Sequence, residues 1–125
     1  MHWADYTAQR LMERGGKQVS ASGITPSGEF HIGHLREILS AEMIHRACLD
    51  AGMSSKYIFI VDSMDPLRRV YDFLSPEYEE FIGCPLAYIP APEEDGSPGD
   101  GSVTYANHFL SPFLEALEQI GVRPE

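Results

Sequence analysis

Residues 35–61 leave little freedom of fold. Leu35, Leu39, Met43 and Ala47 form an i, i+4 row flanked by Ile38, Ile44 and Cys48, the periodicity of a helix that buries one face. Gly52 follows, where a residue in the left-handed conformation ends a helix. Residues 56–61 are then an apolar run closing on Asp62, the pattern of a strand buried on both faces of a parallel sheet. Residues 17–22 read as a shorter strand running into Gly23. Strand, long helix, strand is a βαβ unit, and such units cross over right-handed. The expected fold is α/β, a parallel sheet with flanking helices.

Around this unit the punctuation is plain. Residues 5–12 are expected to be helical through Ala8, Leu11 and Met12, with Gly15 and Gly16 as the stop. Asp65-Pro66 begins a turn, because proline bars the residue before it from the helical region. Pro76–Phe81 reads as a short helix. Residues 91–102 (APEEDGSPGDGS) form an acidic Gly/Pro loop, whose Glu93, Glu94, Asp95 and Asp100 are expected to be solvated. A last helix spans about 106–120 along Phe109, Phe113, Leu117 and Ile120, beside Leu110 and Leu114. Pro112 is expected only near the start of its regular part.

Composition narrows the function classes. The chain has 125 residues with 9 basic and 19 acidic, a formal charge of −10. That size suits one domain or part of a larger one. No apolar run approaches the ~20 residues of a membrane span, and residues 1–16 lack the basic-then-apolar pattern of a signal peptide. The expected compartment is the cytosol. Cys48 and Cys84 are isolated, which weighs against a zinc site or a redox pair. The acidity disfavours a broad nucleic-acid footprint, and Arg68-Arg69 is the only basic pair.

The chemistry concentrates in residues 23–34, GITPSGEFHIGH. This string follows a strand and opens a helix, at the carboxyl end of a parallel strand where α/β sheets bind ligands. Free N–H groups and the helix dipole there favour an anion such as phosphate. Gly28 and Gly33 allow close approach. His31 and His34, three apart, share a helix face and can donate to a phosphoryl group as charge builds on it. A Pro-Ser-Gly turn with a histidine helix cap is the architectural alternative for any one of these residues. The joint pattern favours phosphate handling. Asp62, at a strand end, reads equally as a site residue or as a turn cap.

His31-Ile32-Gly33-His34 resembles the H-I-G-H motif of class I aminoacyl-tRNA synthetases, and residues 21–37 as a whole resemble class I lysyl-tRNA synthetases. The opening His2-Trp3-Ala4-Asp5, the segment Asp65-Pro66-Leu67-Arg68-Arg69-Val70, Gly83-Cys84-Pro85-Leu86 and Tyr105-Ala106-Asn107-His108-Phe109 resemble that family in the same order. The resemblance implies a Rossmann-like nucleotide-binding half, with residues 1–125 the N-terminal part of the catalytic domain. It implies lysine activation by ATP, with Mg²⁺ accompanying the ATP, and transfer of the lysyl group to tRNA(Lys). His31 and His34 would be the catalytic pair at the ATP phosphates. Pro26, Ser27, Gly28 and Gly33 would complete the ATP site, with Gly33 leaving room for adenine. Gly23, Thr25 and Asp62 would line the lysine pocket.

The chain departs from the pattern in places. The family has two adjacent acids after its second strand, and here Asp62 is followed by Ser63. The fourth residue of H-I-G-H, often Asn in that family, is His34. No K-M-S-K-S string is present, and the family runs to several hundred residues, so the chain reads as an N-terminal fragment that does not charge tRNA alone. Two other readings stand beside this one. A small nucleotidyltransferase with an H-x-G-H loop would be short, but carries F-D-P-x-H-x-G-H where this chain has Thr25-Pro26-Ser27-Gly28. A non-catalytic module would bind only nucleotide or a partner. Elsewhere the plainer readings prevail: Trp3 beside His2 as a packing plug, His108 beside Tyr105 as a cap or a satisfied histidine, and Arg36-Glu37 as a solvated face.

Overall fold

The computed structural model describes residues 1–125. In chain order the elements are α1 (Trp3–Arg14), β1 (Gln18–Ile24), α2 (Ile32–Asp50), β2 (Ser55–Val61), two short 3₁₀ helices (Pro76–Phe81 and Leu86–Tyr88) and α3 (Tyr105–Gln119). They divide into two compact units. One holds residues 1–24, 31–60 and 118–125, the other residues 25–30 and 61–117.

The first unit contains the expected βαβ: β1 and β2 form a two-stranded parallel sheet joined through α2. Gly15 and Gly16 (φ +74° and +83°) end α1, and Gly52 (φ +82°) ends α2. Helix α1 packs on α2 through Ala4 and Ala8, one i, i+4 row, against Ala47 and Cys48, with Leu11, Met43, Ile44 and Met53 around them. Alanines at the contact let the two backbones approach closely. Along α2 the fully buried positions are Ile38, Glu42, Ala47 and Cys48, so the core stripe is rotated from the Leu35–Leu39–Met43 row, which is half-buried. Buried Glu42 is compensated by an ion pair with Arg46 one turn later. Both cysteines are free thiols, and burial pushes that of Cys48 above its ordinary pKa.

Ser22 Oγ and Tyr57 OH lie 2.6 Å apart, and Tyr57 OH donates onward to the Ile38 carbonyl of α2. This fixes which sheet face meets the helix. Strand β2 is not buried on both faces: Ile60 is 50% exposed and Val19 of β1 is 61% exposed. A continuous apolar run needs a layer on each side, and α2 covers only the face carrying Ser22 and Tyr57. Along the edge of β2, Glu125 N–H donates to the Tyr57 carbonyl (3.0 Å) and Phe59 N–H donates to the Glu125 carbonyl (3.3 Å). That is the bonding of a parallel ladder, reinforced by Lys56 Nζ 2.7 Å from Glu125 Oε2.

The second unit is held by Leu67, Leu74, Tyr78, Leu86, Ile89, Tyr105, Ala106 and Phe109. Its irregular chain satisfies its backbone by isolated bridges between Pro66 and Pro85, Pro90 and Thr104, and Pro92 and Pro98. Tyr78 OH donates to the Pro90 carbonyl over 2.8 Å, and burial followed by the nearby Glu93 carboxylate pushes its pKa up to about 12. The acidic loop is not merely solvated. Asp95 and Asp100 accept from the backbone N–H of Ser97 and Ser102, as Asx turns do.

Two further expectations fail. Pro112 lies in the middle of α3, not near its start. It is exposed there, as is His108 four residues earlier, so the carbonyl that loses its helical donor sits on the wet side of the helix. Trp3 is 46% exposed rather than a packing plug. Its neighbour His2 has the structural role, capping α1 by accepting from Ala4 N–H at Nδ1. No helix of the chain is long and apolar enough to cross a membrane.

Candidate nucleotide and amino-acid site

The start of α2 is built by two histidines. His31 is the N-cap, with extended backbone (φ −130°, ψ 179°), and its Nδ1 accepts from Gly33 N–H at 3.0 Å. His34 Nδ1 in turn accepts from His31 N–H at 3.1 Å. The result is a reciprocal capping box in which histidine replaces the usual Ser/Thr and Glu/Gln. The ring centroids are 4.1 Å apart. Because each Nδ1 is an acceptor, each neutral ring carries its proton on Nε2. Burial, then the neighbouring His31, holds the pKa of His34 below its ordinary value, while Glu37 acts in the opposite sense. The structure bears out the architectural reading of the motif, and the capping selects the Nε2–H tautomer, which leaves a donor on each ring.

Gly33 belongs to this device. A Cβ there would meet His31 Cε1 at 2.7 Å and Nδ1 at 2.9 Å. The glycine is what lets the imidazole lie over the first turn. In the same unit Gly23, at the carboxyl end of β1, has its N–H 3.4 Å from Glu37 Oε1. Glu37, read from the sequence as a solvated residue, thus reaches back to the strand end. Only its position one turn after His34 could have signalled this.

Thr25, Pro26, Ser27 and Gly28 belong to the second unit, as does Asp62. Pro26 is fully buried. Ser27 N–H donates to the Thr25 carbonyl (2.8 Å), and the Ser27 carbonyl accepts from Tyr105 OH, whose pKa is driven up by burial and by Tyr71 and Tyr78. Gly28 lies against the Phe73 ring, 3.4 Å from where its Cβ would be. Ser27, Gly28 and Glu29 line a cleft of about 500 Å³ with Tyr71, Phe73 and His108. His108 is neither a cap nor buried. Thr104 Oγ1 accepts from Asn107 N–H at the start of α3, and His108 stands edge-on to Phe109 at 4.7 Å.

Asp62 is exposed and its carbonyl accepts from Asp65 N–H (3.2 Å), so it opens the turn after β2. The carboxylate that meets an expected lysine-pocket residue is that of Asp65: Thr25 Oγ1 donates to its Oδ2 over 2.7 Å. The sequence marked Asp65 only as a turn residue.

The family model described as tRNA synthetases class I (K) matches residues 1–125, and the chain belongs to that family. It is 48% identical over 125 residues to a lysine–tRNA ligase of Archaeoglobus fulgidus and 46% identical over 125 residues to lysine–tRNA ligase 1 of Methanosarcina acetivorans. Both matches cover all of this chain, but 24% and 22% of those relatives. A lysine–tRNA ligase of Methanocaldococcus jannaschii is 46% identical over 124 residues, 98% of this chain and 22% of the relative. The chain therefore spans less than a quarter of the length of these relatives.

Proposed function

We propose that this chain is the part of a cytosolic lysine–tRNA ligase that binds ATP and lysine and joins them as lysyl-adenylate. The observation that carries the reading is the start of α2, where reciprocal capping by His31 and His34 fixes two imidazoles as Nε2–H donors at the positive end of the helix dipole. The similarity to lysine–tRNA ligases supports the choice of amino acid.

In this reading a lysine carboxylate oxygen attacks the α-phosphorus of ATP. The bond from that phosphorus to the bridging oxygen breaks, and pyrophosphate leaves with the electron pair. No proton need move. His31 and His34 donate to phosphate oxygens whose charge grows, an electrostatic contribution. The chain of Pro26, Ser27 and Gly28 would carry the nucleotide further, and Gly33 serves by keeping His31 in place. Gly23, Thr25 and Asp62 would receive lysine. No group of three or more His, Cys, Asp or Glu side chains is placed to hold a metal ion. Mg²⁺ accompanying the ATP would be held by the triphosphate and water, its usual habit, where it would neutralise phosphate charge. The second step, attack of a terminal tRNA(Lys) hydroxyl on the lysyl carbonyl with release of AMP, would draw its main tRNA contacts from outside this strongly acidic stretch.

The test is lysine-dependent exchange of pyrophosphate into ATP by the whole protein. His31→Ala is expected to slow it by about 10²-fold or more, the usual loss for one transition-state donor. Exchange dependent on another amino acid, or unaltered by His31→Ala, would refute the reading.

A further inference from the structure

The acidic loop carries the chain's two Asp-Gly pairs, Asp95-Gly96 and Asp100-Gly101. Both aspartates are exposed. Both also fold their side chains forward along the chain: Asp95 Oδ1 accepts from Ser97 N–H at 3.0 Å, and Asp100 Oδ1 accepts from Ser102 N–H at 2.9 Å. In an Asp-Gly pair the side-chain carboxyl carbon can close a five-membered ring onto the glycine nitrogen, and glycine sets no side chain in the way. The loop thus holds one reactive arrangement twice, and the two copies differ at the nitrogen.

Gly96 is held on every side. It is buried, its N–H donates to the Glu93 carbonyl (2.9 Å), and its carbonyl accepts from Ser75 N–H (2.8 Å). A Cβ there would stand 2.5 Å from the Phe73 carbonyl oxygen. Asp95 Oδ1 also takes a second donor, the Ser97 hydroxyl. Gly101 has none of these restraints. It is exposed, its N–H makes no hydrogen bond within the chain, and nothing lies within 4 Å of where its Cβ would be.

We propose that Asp100 is a site of spontaneous covalent modification, isomerising to isoaspartate through a cyclic imide, while the fold protects Asp95. Gly101 N attacks Cγ of the protonated Asp100 side chain. The N–Cγ bond forms, the Cγ–OH bond breaks, and the amide hydrogen leaves with the hydroxyl as water. One water then adds back to the ring. Addition at Cγ restores aspartate. Addition at the former main-chain carbonyl breaks its bond to Gly101 N, so the chain runs through Cγ and an α-carboxylate is freed. Water is the only co-reactant, and product and starting chain have the same mass. The lengthened backbone takes from Ser102 N–H its acceptor, in the loop that Ala91 closes through Gly99 and Val103. The inference is independent of the ligase reading.

The experiment incubates the 125-residue chain in warm neutral buffer and, in parallel, in guanidinium chloride. Isoaspartate at each position is followed over time by mass spectrometry with electron-transfer fragmentation, and total isoaspartate by methyl transfer from an isoaspartyl methyltransferase. In the folded chain Asp100 is expected to convert about fivefold faster than Asp95 or more, ~1 kcal/mol of barrier, the usual net worth of the one hydrogen bond that Gly96 N–H must give up. Denaturant should bring the two rates together, because the difference lies in the fold. Asp100→Glu keeps a carboxylate but can close only a slower six-membered ring. It should abolish conversion at position 100 and leave Asp95 as in wild type. Equal conversion of Asp95 and Asp100 in the folded chain overturns the proposal, as does a folded chain whose Asp100 stays intact while the unfolded chain reacts.

Discussion

Replacing Gly33 with alanine separates what the H-I-G-H glycine does for catalysis from what it does for stability. The new Cβ would stand 2.7 Å from His31 Cε1, against the ~3.5 Å of ordinary carbon contact, so the ring must retreat by roughly 0.8 Å. Retreat breaks the 3.0 Å bond from Gly33 N–H to Nδ1, and with it the reason for the Nε2–H tautomer. Losing an N-cap costs about 1 kcal/mol. Exchanging glycine for alanine inside a helix returns about 0.5–1 kcal/mol of chain entropy. The two nearly cancel, and urea unfolding should place the variant within about 1 kcal/mol of wild type. A catalytic group misplaced by about 1 Å costs about 10²-fold in rate, so lysine-dependent pyrophosphate exchange should fall by that factor with no matching loss of fold. Nitrogen-15 shifts of the His31 ring should report a changed tautomer balance. An unchanged ring tautomer together with exchange within a few-fold of wild type would refute the argument that Gly33 exists for His31.

Other perturbations have equally definite signs. Gly96 (φ +84°) has its missing Cβ 2.5 Å from the Phe73 carbonyl oxygen, whereas Gly101 (φ +82°) has open space. Gly96→Ala should therefore cost more than the about 1–2 kcal/mol of left-handed strain expected for Gly101→Ala alone, as thermal unfolding would measure. His34 has a folded-state pKa below the ordinary 6.5. The unfolded chain thus takes up this proton first, and the contribution of the cap is complete above about pH 6.5 and lost as pH falls through the folded value. His34→Asn keeps a side-chain acceptor and should remove that component from the pH dependence of stability.

What could be read in the sequence was what repeats or punctuates. The α2 row, the apolar run of β2 and the glycines after α1 and α2 placed the βαβ unit, and the H-I-G-H string with its neighbours placed the family. Partners set by the third dimension were hidden. Nothing in the spacing of His31 and His34 says that the His31 ring accepts from Gly33 N–H and the His34 ring from His31 N–H, each through Nδ1. Thr25 and Asp65 meet only because two strand ends adjoin, and Glu37 meets Gly23 only because α2 doubles back along β1. The run 56–61 suggested burial on both faces because hydrophobicity records what could be covered, while the layers present decide what is. Pro112 escaped for the opposite reason: a local rule forbids proline in mid-helix, but an exposed carbonyl at His108 makes the exception tolerable.

In the proposed function a polyphosphate would meet a chain of net charge −10 at the first turn of α2. Acids at a helix start are stabilising, and the chain uses them elsewhere: Asp5 in α1, Glu77 and Glu79 in the 3₁₀ helix Pro76–Phe81. Helix α2 has none in its first turn, and Ile32 there is 83% exposed. The positive end of the dipole is left for a ligand to neutralise. Ile32→Glu should accordingly stabilise the chain by about 0.3–1 kcal/mol at low ionic strength. The same carboxylate would repel phosphate at close range, and after solvent screening should weaken ATP binding by about 1–2 kcal/mol, five- to thirtyfold. Ile32→Gln should do neither. Unfolding free energy and ATP affinity, measured on the same preparations by urea titration and calorimetry, must move in opposite directions. Simple damage to the fold would lower both. An Ile32→Glu chain that binds ATP as tightly as wild type would show that the triphosphate lies elsewhere, and the roles proposed for His31 and His34 would fall with it.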